Sequence, residues 1–169
     1  MVLRALTFLA LVAAAGLSGV PAWAEDDDVA AMAAALKDIK ITLQEGLKAS
    51  EREGRPVSAQ FEIDDGKLRI SVYTTKGDDF TEVVADPKTG SILKSEKIID
   101  TDELNDAADQ KAVMEKATIS LLAAADAAVK ENAGFRAVAI FPDVQDGHAV
   151  AEVMLLQGTT AKKVTQKLD

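Results

Sequence analysis

The same order of elements occurs twice along the chain, and this repeat restricts the possible folds more than any other feature. A helix-like stretch at 43–53 is followed by strand-like segments, and a second stretch at 121–132 is followed by another such set. Thr42 and Ser120 stand at the two helix starts as N-cap candidates. An internal repeat of this kind predicts two similar supersecondary units that pack side by side.

The segments after each helix alternate apolar and polar residues, which is the pattern of half-buried strands. Turn residues separate them, as in Asp64-Asp65-Gly66 and Asp146-Gly147, and we interpret 142–147 as a loop. The strand-like segments are 57–63, 68–73, 80–85 and 91–93 in the first half, and 137–141, 148–156 and 160–168 in the second.

Two further stretches lie outside the repeated halves. Residues 95–117 are polar and acidic, and 106–116 can form a connecting helix. Before the first half, apolar residues recur at helical spacing. These are Val29, Met32, Leu36 and Ile39. The sequence leaves open whether this helix continues into the one at 43–53 or bends near Lys40.

The first 24 residues have the layout of a secretory signal peptide. Arg4 precedes an uncharged run at 5–20, Pro21 ends that run, and Ala22-Trp23-Ala24 offers small residues at a cleavage site. A membrane anchor is the alternative, but the run is shorter than the ~20 residues of a spanning helix. We therefore predict cleavage after Ala24, a location in the periplasm, and no membrane span after cleavage.

The composition excludes several classes of site. The chain has no cysteine and one histidine, so thiolate chemistry and multi-histidine metal sites are excluded within one chain. Its net charge of -9 argues against non-specific binding to nucleic acid. We interpret His148 as an ordinary residue at the edge of a turn, and no Gly-x-Ser-x-Gly or HExxH motif is present. Composition and motifs together thus exclude many enzyme classes.

Three motifs in the first half occur in an order that is typical of one known family. A helix opening with ITLQE at 41–45 precedes FEI at 61–63, which leads into the turn at Asp64-Asp65-Gly66; EVVADPKTGSIL follows at 82–93. Together they resemble the PepSY domain family. Residues 118–169 resemble a degenerate second copy.

This resemblance implies an α+β fold of two tandem helix-on-antiparallel-sheet units, joined by the acidic, partly helical connector. The expected divisions are a cleaved signal peptide at 1–24, an N-terminal helix with the first unit at 25–94, the connector at 95–117, and the second unit at 118–169. It further implies a non-enzymatic binding module without a cofactor, whose partner is an exported protein or a peptidase that it regulates. The identity of the partner, the oligomeric state and the continuity of the two sheets are left open.

Acidic turns suggest an alternative function as a periplasmic hard-cation binder, with Ca²⁺ or a lanthanide-type ion held by carboxylates. The candidate ligands are Asp64, Asp65, Asp86, Asp78 and Asp79. In a meander, Asp64, Asp65 and Asp86 share one end of the sheet, and Asp78 and Asp79 lie more than ~20 Å away at the other end. The competing interpretation is that these residues simply form turns.

Overall fold

A computed structural model describes residues 26–169, so the predicted signal peptide at 1–24 lies outside the described residues. Within 26–169 the chain forms four helices and seven strands. The helices are α1 (Asp26–Leu36), α2 (Leu43–Ser50), α3 (Thr101–Lys116) and α4 (Leu121–Glu131). The strands are β1 (Arg55–Asp64), β2 (Lys67–Lys76), β3 (Asp79–Ala85), β4 (Ile92–Lys97), β5 (Arg136–Gln145), β6 (His148–Gln157) and β7 (Thr160–Lys167).

All seven strands belong to one antiparallel sheet, which confirms the predicted α+β class. Its order is β4-β3-β2-β1-β5-β6-β7. The strands that follow α2 therefore meet the strands that follow α4 at the β1–β5 pair, through Ala59 opposite Ile140 and Gln60 opposite Ala139. The sheet is continuous across the two halves of the described chain.

Several backbone features recur at a constant spacing of 81 residues. The β1–β2 turn holds Asp65 at a φ of 48°, and Asp146 in the β5–β6 turn has a φ of 51°. Both are followed by a glycine at positive φ, as two-residue hairpin turns of this kind require. A register shift at position 57 of β1 matches one at position 138 of β5. Ala59 and Ile140, which face each other at the junction, also stand 81 residues apart.

Helices cover both faces of the sheet. In α2, Gly46 lies against Ile70 so closely that an added Cβ would meet the Ile70 side chain at 2.7 Å. Tyr73 lies on the other face of β2, because side chains alternate along a strand, and its hydroxyl hydrogen-bonds with Glu103 of α3. Since α4 packs against α2, these two helices share one face and α3 covers the opposite one.

The helices differ from the sequence-based expectation in length and separation. Helix α3 begins at Thr101 and not at residue 106, because the Asp100 carboxylate accepts hydrogen bonds from the first-turn N–H groups. Helix α2 ends at Ser50, three residues before the expected end of the stretch at 43–53. Helix α1 ends at Leu36, so it does not continue into α2.

Several strands are longer than the alternation pattern indicates, and β4 and β5 extend into segments that are expected to be a connector and a loop. Strand β5 runs through Pro142 to Gln145, where a loop over 142–147 is expected from the sequence. Proline is tolerated there because β5 pairs with β1 only at Ala139 and Ile140, so that one side of the strand is unpaired beyond this point. Strand β4 extends to Lys97, and the first three residues of the predicted connector at 95–117 therefore belong to the sheet.

Candidate functional site

The five candidate cation ligands lie in turns at two opposite ends of the sheet, as expected. Asp64 is the last residue of β1, Asp65 lies in the β1–β2 turn, and Asp86 follows β3 at the same end. Asp78 and Asp79 lie at the β2–β3 turn. Strand β2 spans the full distance between the two ends, so the structure separates the candidates into two groups.

Four of these carboxylates already have partners within the chain. Asp64 Oδ2 lies 2.9 Å from Arg69 Nη1, and Asp78 Oδ1 lies 2.9 Å from the amine of Lys111. The Lys97 amine donates to Asp79 and lowers the pKa of that carboxyl. Asp86 accepts hydrogen bonds from the backbone N–H groups of the next turn, at 2.7 and 3.0 Å, and these bonds lower its pKa.

Cation binding remains a prediction of the acidic turns. Within the described range 26–169, no three His, Asp or Glu side chains are grouped so that they could hold a metal ion. Calorimetric titration of the mature chain with Ca²⁺ and with a trivalent lanthanide ion tests the hypothesis. If the hypothesis holds, the wild type releases heat on titration, and the double Asp64→Asn/Asp65→Asn variant does not. The Asp78→Asn/Asp79→Asn variant is the matched control at the other end of the sheet and keeps the heat signal. A flat titration of the wild type up to millimolar ion would rule it out.

A polar cluster lies on the face of the sheet that also carries α3, and Arg69 of β2 is at its centre. The Arg69 guanidinium donates to Glu62, forms the ion pair with Asp64, and lies 3.9 Å from Glu82. The side chains of Arg69, Glu62 and Glu82 are 15%, 20% and 12% exposed. One cation thus holds together three carboxylates, of which Glu62 and Glu82 are largely removed from water and Asp64 is more exposed.

Burial sets the protonation behaviour of this cluster. Loss of solvation raises the pKa of Glu62, and the attraction of Arg69 only partly opposes this effect. Burial also raises the pKa of Glu103, with repulsion from Glu82 as the next cause. The pKa of the Tyr73 hydroxyl is raised as well, chiefly by burial and then by the nearby Glu103 charge. Tyr73 therefore stays neutral and ties α3 to the sheet through its hydroxyl.

The Ser71–Glu82 pair of the first half and the Glu152–Lys163 pair of the second half occupy equivalent positions but interact differently. In the first half the Ser71 hydroxyl donates to Glu82 at 2.8 Å. The positions 81 residues later are Glu152 and Lys163, and the Lys163 amine lies 2.7 Å from the Glu152 carboxylate. A hydrogen bond between neighbouring strands in one half is thus replaced by an ion pair at the corresponding place in the other.

The cluster around Arg69 is not evident from the sequence. Gln60, Glu62 and Arg69 occupy the polar positions of alternating strands, and such positions are usually solvent-facing. They are covered because α3 packs across this face. One sequence feature could have predicted the cluster. The two neighbouring strands carry charges of opposite sign, and Glu62 lies directly opposite Arg69 in the β1–β2 pair.

Arg55 lies between two open cavities near the ends of α3 and α2, with volumes of about 350 and 320 Å³. Its guanidinium donates to the Met114 carbonyl at 2.6 Å. Ser120, which borders the larger cavity, accepts a hydrogen bond from the Ala123 N–H as the N-cap of α4. His148 lies on the surface, with Nδ1 2.9 Å from Asp169 Oδ2.

The outermost strands of the sheet are β4 and β7, and they differ in regularity. Strand β4 has a register shift at Leu93, which lies 63% exposed, and its two lysines form ion pairs with Glu96 and Asp79. Strand β7 pairs with β6 without interruption over its whole length. Each strand pairs on one side only within the described sheet.

Comparison with known proteins yields one structural likeness. No protein-family model matches the chain, and no curated protein matches it. The solved structure of a candidate lipoprotein from Clostridium difficile 630 is similar with a TM-score of 0.42 and 15% identity, over 78% of this chain and 89% of that one. None of the helices in 26–169 has the length and apolar character needed to cross a membrane.

Proposed function

We propose that this chain is an exported, non-enzymatic protein-binding module built from two PepSY-like units. The observation that carries the proposal is the way in which the two halves meet. Ala59 and Ile140 are equivalent positions by the 81-residue spacing, and they lie opposite each other on antiparallel strands. Such pairing is what a two-fold arrangement of two similar units produces.

The first strand of each unit, β1 or β5, pairs with the other at this junction, so the edge strands β4 and β7 remain free to bind a partner. Each half contributes a helix to the same face of the sheet, with α2 and α4 in contact. The sheet ends at β4 on one side and at β7 on the other. An edge strand offers unpaired backbone N–H and C=O groups, which is the means by which many binding modules take an extended peptide.

The resemblance of the motifs at 41–45, 61–63 and 82–93 to PepSY domains supports a partner that is an exported protein, including a peptidase whose activity the module regulates. The signal-peptide layout of residues 1–24 supports a location in the periplasm. Residues 98–117, the part of the predicted connector that follows β4, then serve as the linker between units, and α3 within them covers the second face of the sheet.

Affinity capture from periplasmic extract tests the proposed function. The mature chain 25–169 is immobilised, and we expect one or more exported proteins to be retained and then displaced by excess untagged chain. Any peptidase among them is expected to cleave its substrate more slowly when the mature chain is added. If the untagged chain displaces no protein under several growth conditions, the proposal is wrong.

A further inference from the structure

The two edges of the sheet are not equally suited to pairing with another strand. Natural edge strands are protected by bulges, by short length and by charges that repel strands of like sign. Strand β4 has six residues and a bulge, so its length and shape protect it. Its two lysines are already paired with neighbouring carboxylates and therefore give little attraction to an acidic strand. Strand β7 has eight residues and continuous register, so its backbone is the better template for an added strand.

The direction of the backbone groups of β7 follows from one hydrogen bond. The Leu168 N–H donates to the Ala149 carbonyl at 2.9 Å, and these residues continue the register of the β6–β7 pair. The backbone groups of an antiparallel strand point alternately to either side. Those of Lys163, Thr165 and Lys167 therefore point away from β6, toward the open edge.

The side chains of β7 give this edge a positive charge. The strand reads TAKKVTQK, with three lysines and no acidic residue, in a chain whose net charge is -9. Lys163 forms the ion pair with Glu152, and Lys162 lies 4.2 Å from the centre of the Phe135 ring. Of the three lysines, only Lys163 has a carboxylate partner within residues 26–169.

We propose that β7 binds an extended peptide segment of a partner protein, with acidic residues at every second position and apolar residues between them. Lys163 and Lys167 lie on one face of the strand, toward the acidic positions. Lys167 has no carboxylate partner in 26–169 and carries the attraction, whereas Lys163 has only the N–H groups that its pair with Glu152 leaves free. Val164 lies on the other face, beside the apolar positions. A second copy of the chain fits less well, because two paired β7 strands would bring six lysines together without an acidic residue between them.

Fluorescence anisotropy with a labelled ten-residue peptide of alternating Glu and Val tests the proposal. We expect the mature chain to bind this peptide, to bind it more weakly as salt is raised, and to leave a peptide of alternating Lys and Val unbound. Thr165→Pro removes an outward-facing N–H and spares the bonds to β6, so it is expected to weaken binding at least ~tenfold. Ser95→Pro removes an outward N–H of β4 and is the matched control, which should bind like the wild type.

Lys167→Glu provides a second variant that does not disturb the backbone, and it is expected to weaken binding ~tenfold at low salt. Far-UV circular dichroism and the urea midpoint verify that each variant is folded. Equal binding by the Thr165→Pro and Ser95→Pro variants would overturn the proposal, and so would failure of the wild type to prefer the acidic peptide.

This inference rests on the proposed function, but the two fail in different ways. If Thr165→Pro and Ser95→Pro retain the same periplasmic partners as the wild type, protein binding stands and the assignment to β7 is wrong. If the wild type binds the acidic peptide but captures no protein from the extract, β7 is a peptide-binding edge and the proposed function fails.

Discussion

Replacing Arg69 by methionine is expected to destabilise the fold by about 3 kcal/mol at pH 8. The substitution keeps most of the volume of the side chain and removes its charge. Glu62 and Glu82, which are 20% and 12% exposed, then lose the cation that faces them. Unpaired charges that are largely removed from water are among the most costly changes that a single substitution can make.

The destabilisation is expected to depend on pH with a defined sign. The pKa of Glu62 in the folded chain is already raised above its ordinary value of 4.5 by burial. Removing Arg69 raises it further, because the attraction of the guanidinium lowers this pKa. A carboxyl whose folded pKa lies above its unfolded pKa favours the folded state at low pH, and that contribution is lost as pH rises through the folded value. The loss of stability in Arg69→Met is therefore smaller at pH 5 than at pH 8.

Urea denaturation at these two pH values measures the effect. Adding Glu62→Gln to Arg69→Met is expected to restore part of the stability, since it removes one of the unpaired charges. Arg52→Met is the matched control, because the Arg52 side chain is 65% exposed beside Glu53 and such surface pairs contribute little. A loss that is equal at pH 5 and pH 8 would show that the cluster does not act through its charges.

Ile140→Ala is expected to cost about 3 kcal/mol, because Ile140 is fully buried at the centre of the junction and its truncation leaves a cavity. The urea midpoint should fall while the slope of the transition stays the same. Tyr73, the only tyrosine of the chain, lies in the other half of the sheet and provides a local fluorescence signal. We expect this signal and far-UV circular dichroism to change at the same urea concentration.

Val144→Ala provides the control for this prediction. Val144 lies on the same strand as Ile140 but is 44% exposed, so the substitution is expected to change stability by less than ~0.5 kcal/mol. If Ile140→Ala lowers the midpoint seen by circular dichroism and leaves the Tyr73 transition unchanged, the two halves unfold independently.

Local chemistry explains why most of the sheet could be predicted from the sequence. The hairpin turns at Asp65-Gly66 and Asp146-Gly147 adopt positive φ, as these residue pairs favour, and the alternating segments between them are strands. Thr42 is the N-cap of α2, as predicted, and it forms a capping box with Glu45. Each of these features depends on residues that are close in sequence.

The second covering layer depends on residues that are distant in sequence. Alternation along β1 and β2 indicates one buried face, and it does not indicate that α3 returns to cover the other. Only Ala107 and Met114 of α3 are fully buried, so its own pattern gives little sign of a packed helix. The acidic turns could also be predicted from the sequence, but the cations that pair with them could not. Lys111, for example, is 33 residues away from its partner Asp78.

Native-state hydrogen exchange most directly tests whether the two halves fold as one sheet through the Ala59–Ile140 pair. The slowest amides of β2 and of β6 are expected to exchange with the same free energy of opening, because both require unfolding of the whole sheet. In Ile140→Ala both values should fall by the same amount. Protection that falls in β6 and persists in β2 would contradict a single cooperative sheet and would show two units that unfold separately.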